Sequence, residues 1–200
     1  MNIEQQRNVN YRKSHPMTGK GLMPVGFFFE WVNWLVRSDE LYEDMVFCDF
    51  GGNNGALAAA FREKTCVPMT VIDGMPEYIE EAKERGVPTI LADLENMPLA
   101  DASVDWGFCS HTLEHLEDMD KGLSEISRVT RRGMCFVIPL ETKEEFDDNP
   151  AHNFYNPDED WWLDKYRAYG FHVMISKVYT HKDGCKEMFA ICQKLTGASA

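Results

Sequence analysis

The stretch Val46-Phe47-Cys48-Asp49-Phe50-Gly51-Gly52-Asn53-Asn54-Gly55-Ala56 decides how the rest of the chain is read. Apolar residues of strand character run into an acid, then a glycine-rich turn, then the alanine-rich Ala56-Leu57-Ala58-Ala59-Ala60-Phe61. That order predicts a strand, a tight turn and a helix in succession. Glycine reaches positive φ and lets a bound molecule approach the main chain closely. In an open α/β sheet such a turn stands at the carboxyl end of a strand, where ligands bind. A second acid, Asp73, ends the next apolar run, Met69-Thr70-Val71-Ile72, 18 residues past Gly55. The distance is close to the roughly 20-residue interval at which a strand-end carboxylate meets ribose hydroxyls.

Outward from this unit, strands alternate with helices: strands at 45–50, 68–72 and 87–91, helices at 55–64 and 76–85. Pro76 stands early in the second helix and Gly86 just past its end, as helix termini favour. A loop follows Asp93, and a strand follows at Val104–Cys109. Leu113, Leu116, Met119, Leu123, Ile126 and Val129 recur at steps of three and four, predicting one long helix from about His111 to Thr130. Gly133 then precedes a strand at Met134–Ile138. Upstream, Pro24 opens a helix through about Arg37 whose Phe27, Phe28, Phe29, Trp31, Trp34 and Leu35 predict burial against the sheet. Downstream, a helix at 158–169 leads to a strand at Phe171–Thr180, the turn signal Asp183-Gly184 and a returning strand at Lys186–Cys192. The expected fold is α/β: a Rossmann-like, mostly parallel seven-stranded sheet with helices on both faces and a C-terminal antiparallel hairpin strand. We expect a single domain over 1–200, with an N-terminal arm or lid at 1–23, a helical region at 24–44 and the core sheet at 45–194.

Composition narrows the function. Hydrophobic residues make up 44% and charged residues 26%, a soluble globular balance, and the formal charge is −13. That charge repels a nucleic-acid backbone unless a basic patch offsets it, and Arg131-Arg132 is the one adjacent Arg pair. No apolar run approaches the ~20 residues that span a bilayer, and Met1–Gln6 shows no signal-peptide pattern. The six cysteines are dispersed, several within apolar runs, as small buried hydrophobes in a reducing compartment would be. The expectation is a cytoplasmic protein with neither nucleic acid nor membrane as partner.

A dinucleotide turn wants Gly-x-Gly-x-x-Gly, because a helix N-terminus must cradle a pyrophosphate. Here the spacing is Asp-x-Gly-x-x-x-Gly, over Asp49, Gly51 and Gly55. An acid before the turn opposes a phosphate but suits a cationic amino group. S-adenosylmethionine carries such a group and no phosphate. Asp49-Phe50-Gly51-Gly52-Asn53-Asn54-Gly55 resembles the first motif of class I S-adenosylmethionine-dependent methyltransferases, and Val71-Ile72-Asp73 their ribose-binding acid. Ala92-Asp93-Leu94 resembles the segment whose Asp contacts the adenine amino group. Asp101–Asp105 with His111-Thr112-Leu113-Glu114-His115-Leu116, then Ile126–Gly133, then Phe154-Tyr155-Asn156-Pro157, are similar to the type-eleven subfamily. The resemblance covers about residues 45–192. It implies S-adenosylmethionine as cofactor and S-adenosylhomocysteine as product. It implies cofactor contacts at Asp49, Gly51, Gly52, Asn53, Gly55, Asp73, Gly74, Met75, Asp93, Leu94, Ser110, His111 and His115. One departure is Asn53, where the family usually has Gly; Asn tolerates the left-handed region better than most residues.

Methyl transfer from a sulfonium needs alignment and exclusion of water, and for some nucleophiles a base within hydrogen-bond reach. His111, His152 and His15 are the candidates, with His111 and His152 foremost. The absence of an Asn/Asp-Pro-Pro-Tyr run and of a Pro-Cys nucleophile favours a small-molecule acceptor over nucleic acid. An alternative is a catalytically silent module that binds S-adenosylmethionine or S-adenosylhomocysteine. His111-Thr112-Leu113-Glu114-His115 also spells His-x-x-Glu-His, an inverted zinc-peptidase motif in which two imidazoles share a helical face beside Glu114. The methyltransferase pattern already accounts for that segment, so no metal is expected.

Overall fold

The computed structural model describes residues 24–38, 41–182 and 184–195. The arm at 1–23, with His15, and Asp183 of the hairpin turn lie outside the described residues. The elements in order are α1 (Pro24–Arg37), β1 (Phe47–Phe50), α2 (Ala56–Thr65), β2 (Met69–Asp73), α3 (Pro76–Glu84) and β3 (Thr89–Leu91). There follow β4 (Val104–Ser110), α4 (Met119–Val129), β5 (Thr130–Pro139), α5 (Lys143–Asp147), α6 (Glu159–Ala168), β6 (Phe171–Thr180) and β7 (Lys186–Lys194). The seven strands form one sheet in the order β3-β2-β1-β4-β5-β7-β6. β1 to β5 pair in parallel, and β7 runs antiparallel to both β5 and β6. This is the α/β, mostly parallel architecture with its antiparallel closing hairpin that the alternation predicts.

Side chains alternate across a strand, so each central strand feeds two cores. Phe47, Trp106, Phe108, Cys135 and Phe189 face one, which α1, α2 and α3 cover through Trp31, Phe61 and Ile79. Cys48, Phe50, Cys109, Phe136 and Ala190 face the other, covered by α4 and α6 through Leu123, Ile126, Trp162 and Tyr166. Burial on both faces explains why β1, β4 and β5 read as continuous apolar runs. On α1, Phe27, Phe28, Trp31, Val32 and Leu35 are buried while Val36 is exposed. The Trp31 ring stacks on Phe108 at 5.5 Å and on Phe61 at 5.9 Å, so this helix is core.

The long helix expected from His111 to Thr130 is not formed as such. α4 begins only at Met119, where the Asp118 carboxylate caps it by accepting from Lys121 N at 3.0 Å. Before it lie an irregular segment and a single 3-10 turn at Leu113–His115, with Leu116 extended at ψ 148°. The apolar spacing of 113, 116 and 119 therefore reflects burial of a bent segment, and the cap decides where the helix starts. β5 starts at Thr130 rather than Met134, because Thr130 already pairs with Val104. Gly133 lies within that strand, opposite Trp106, and a Cβ there would stand 2.2 Å from the Trp106 ring. α5 was not anticipated; its signal was the capping box Thr142-x-x-Glu145.

Arg131 and Arg132, the adjacent pair, serve the fold. Asp105 is fully buried at the start of β4, and its Oδ1 accepts from Arg131 Nε at 2.8 Å, with Arg132 Nε at 3.3 Å. Its Oδ2 accepts from Val46 N at 3.0 Å, which ties the entry to β1 against β4. Exchanging Asp105 for Ala removes the acceptor of that amide and the shared anion of two half-exposed cations, and a fall in stability of about 1–3 kcal/mol is expected in denaturant titration. A change below about 1 kcal/mol would show the pair to be an ordinary surface bridge.

Candidate active site at the carboxyl edge of the sheet

The strand order reverses between β1 and β4, and open α/β sheets take ligands in the crevice beyond such a switch point. The glycine turn leaves β1 there. Gly51 has φ 72°, and its N–H donates to Ile72 O at 2.7 Å, pinning the turn to β2. A Cβ on Gly51 would stand 2.3 Å from Thr112 Oγ1, and one on Gly52 2.8 Å from Asp49 Cγ. Both positions are thus packed too closely against Thr112 and Asp49 to admit a side chain. Asn53 takes φ 51°, its N–H donates to Asp73 Oδ2 at 2.9 Å, and its Oδ1 accepts from Asn54 N at 2.7 Å. The turn forms with asparagine in place of the family glycine. Gly55, at φ 74°, starts α2.

Two carboxylates flank the turn. Asp49 is 2% exposed, and its Oδ2 takes no hydrogen bond among the described residues. Burial, and then the charge of Asp73, push its carboxyl up to about 7. Asp73 ends β2, where burial raises its pKa while donation from Met75 N, at 2.8 Å, and from Asn53 N lowers it. Each Asp73 oxygen accepts one amide and retains a second lone pair. Gly74 and Met75 lead directly from it into α3. Asp93 follows β3 with its Oδ1 accepting from Glu95 N at 2.8 Å, and Leu94 is buried beside it. Ser110 is the last residue of β4, its Oγ buried; Thr112 Oγ1 donates to Ser110 O at 3.0 Å.

Beyond β4 the histidines gather. His111 sits at φ 49°, its Nε2 3.0 Å from Glu187 Oε1 on β7 and its Nδ1 3.5 Å from Glu114 Oε1. Burial pulls the imidazolium pKa down, but the two carboxylates outweigh it and hold the ring charged. A ring held so has no lone pair for taking a proton, which counts against His111 as a base. His181 Nε2 lies 3.2 Å from the other Glu187 oxygen. His115 and His152 rings meet edge to face at 4.6 Å. His152 is buried in the loop after α5, with Nδ1 2.6 Å from Glu141 Oε2. The loop is fastened by Asn153 N and Phe154 N, which donate to Glu114 O at 2.7 and 3.2 Å, and by Asn153 Nδ2, which donates to His115 O at 2.7 Å.

Residues 48–138 match the profile of a family described as a methyltransferase domain. Over these 91 residues, a little under half of its length, the chain is similar to a methyltransferase domain. The malonyl-[acyl-carrier protein] O-methyltransferase of Methylococcus capsulatus is 33% identical over 85 residues, 42% of this chain and 31% of that protein. The protein of the same name from Yersinia pestis is 30% identical over 116 residues, 57% of this chain and 43% of its own. The chain thus spans less than half the length of these relatives. Among solved structures, the methyltransferase of a Haloferax volcanii complex with a methyltransferase activator superposes with a TM-score of 0.76 over all of both chains, at 14% identity. Magnesium protoporphyrin IX methyltransferase from Synechocystis, solved with bound SAH, gives 0.70 over 94% of each chain, also at 14% identity. These likenesses show the fold.

In this fold, the strand-end acids and the glycine turn stand together at one edge of the sheet. His111 and His115 do not share a helical face, because the chain between them is a 3-10 turn. His115 instead turns to His152, 37 positions on. Two residues escaped the sequence reading. Glu187 is an acid inside an apolar strand, 6% exposed, and its company of Met188 and Phe189 was the signal available. Glu141 had no comparable mark. None of the six cysteines forms a disulfide, and four of them are buried.

Proposed function

We propose that the chain binds S-adenosylmethionine across the ends of β1, β2 and β4 and moves its methyl group to an oxygen, nitrogen or carbon nucleophile of a small molecule, leaving S-adenosylhomocysteine. The observation that carries this reading is Asp49, a buried carboxylate with an unbonded oxygen beneath a turn whose glycines bring the backbone close against it. A cationic amino group would satisfy it, with Asp73 accepting from ribose hydroxyls and Asp93 and Leu94 meeting adenine. Gly74, Met75, Ser110, His111 and His115 complete the proposed lining. When bound, the cofactor supplies an activated methyl group, and the protein's part is alignment and exclusion of water. The net charge of −13 favours a small neutral or cationic acceptor over nucleic acid. No described helix is long and apolar enough to cross a membrane, in keeping with a protein of the cytoplasm. Transfer of labelled methyl to a metabolite pool tests the reading. Binding without any transfer favours the silent module, and no binding of either nucleoside overturns both.

A pH dependence follows from Asp49. Its folded pKa lies above the usual carboxylate value, so the ligand-free fold loses stability as pH rises from about 4 through 7. A cation beside Asp49 favours the ionised form and expels a proton. Affinity for S-adenosylhomocysteine should therefore rise up to about pH 7 and then level, with a binding heat that varies with the buffer's ionisation enthalpy. Asp49→Asn should remove both effects. A flat wild-type profile would mean that no cation lies at Asp49.

A further inference from the structure

We propose that Glu114, His115 and His152 bind one divalent metal ion of the zinc class. One donor atom from each lies within 4.8 Å of the other two. Donors on a tetrahedral ion at about 2.1 Å stand about 3.4 Å apart, so the widest pair must close by about 1.4 Å, which side-chain rotation provides.

Three independent features prepare the site. First, Glu114 is 1% exposed, yet neither carboxylate oxygen accepts a well-formed hydrogen bond from the described residues, and His111 Nδ1 stands off at 3.5 Å. The charged His111 ring offsets part of this buried charge, and both oxygens keep lone pairs to offer a metal ion. Second, each imidazole has its Nδ1 engaged from behind. His115 Nδ1 meets Ala151 O at 3.0 Å and His152 Nδ1 meets Glu141 Oε2 at 2.6 Å. With the proton on Nδ1, the lone pair of each ring is at Nε2. A backbone carbonyl and a carboxylate behind two histidines is how metal-ligating imidazoles are oriented. Third, the loop carrying His152 is sewn to the turn carrying Glu114 and His115 by main-chain hydrogen bonds, so the three donors belong to one rigid corner. Asn149 Nδ2 now lies 3.1 Å from His152 Nε2 and must turn aside for an ion to bind.

Two nitrogens and one carboxylate suit zinc, iron or cobalt better than magnesium, which prefers an all-oxygen shell. The ligand set is not the one the His-x-x-Glu-His motif suggests: Glu114 becomes a ligand, His152 arrives from a distant loop, and His111 pairs with carboxylates instead. On the methyl-transfer reading, the ion's open positions would hold an oxygen-bearing acceptor, and that extension rests on that reading while the metal site does not.

Chelator-stripped full-length protein is titrated with Co(II), followed by visible absorption, and with Zn(II) by calorimetry. One equivalent of each should bind, with cobalt bands of a low-coordinate nitrogen and oxygen site. Glu114→Gln and His152→Asn should each weaken binding by more than about 100-fold, and Glu141→Gln, behind the ligand, by about 10- to 100-fold. His172→Ala, on exposed β6, should change nothing. Circular dichroism confirms that each variant folds. S-adenosylhomocysteine affinity of stripped wild-type protein is measured in parallel, so loss of the metal result leaves the cofactor reading standing, and the reverse. Absence of cobalt binding at 100 μM, a wild-type isotherm for both ligand variants, or dependence on His172 would each overturn the site.

Discussion

Exchange of Asp73 for alanine is expected to lower S-adenosylhomocysteine affinity by about 100-fold or more, measured by calorimetry. Each hydrogen bond to a charged acceptor contributes about 1.5–3 kcal/mol, and every 1.4 kcal/mol is tenfold, so two bonds to a ribose carry that much. Asp73 is 8% exposed and also accepts from the amides of Asn53 and Met75, so alanine frees the glycine turn as well as removing the acceptor. Asp73→Asn keeps the shape and one carbonyl oxygen, and should fall between the two. Thermal unfolding without ligand separates a loosened turn from a lost contact. Unchanged affinity in a folded Asp73→Ala protein would remove the basis for placing a nucleoside across these strand ends.

Trp31→Ala should cost about 3–5 kcal/mol in denaturant titration, a large part of the roughly 5–15 kcal/mol that holds a domain together. Trp31 is fully buried among Phe28, Phe47, Phe61 and Phe108, with ring separations of 5.2 to 6.3 Å across this cluster. Trp34, half-buried against Trp106 at 5.1 Å, should lose less than half as much on the same exchange. Equal losses at the two positions would mean that α1 does not lie on the sheet through its Trp31 face.

The sheet was legible because its signals are local. The turn from Asp49 to Gly55 writes its geometry into consecutive residues, and apolar runs broken by Pro76 and Gly86 mark their own ends. The helix drawn from His111 to Thr130 erred for the same reason: a three-to-four spacing records which side chains are buried, and Leu113 and Leu116 are buried or half-buried without lying on an α-helix. Asp118 as a cap was visible, but weaker than the spacing. The histidine cluster was not legible at all. His115 and His152 meet because Asn153 and Phe154 bond to Glu114 O, a main-chain contact over some 40 positions that no side-chain pattern announces. Glu187 reaches His111 only because β7 inserts beside β5.

That insertion orders events in the life of the molecule. β7 is the last of the seven strands to leave the ribosome, yet it lies inside the sheet, between β5 and β6. Until it arrives, the nascent domain ends at β5 with a bare edge of unpaired amides and carbonyls, the kind that recruits other chains. The same immature species lacks Glu187, so its histidine corner is short of a counter-charge. Competence and protection from aggregation are therefore acquired in a single late docking event, and a prematurely terminated translation product would have neither.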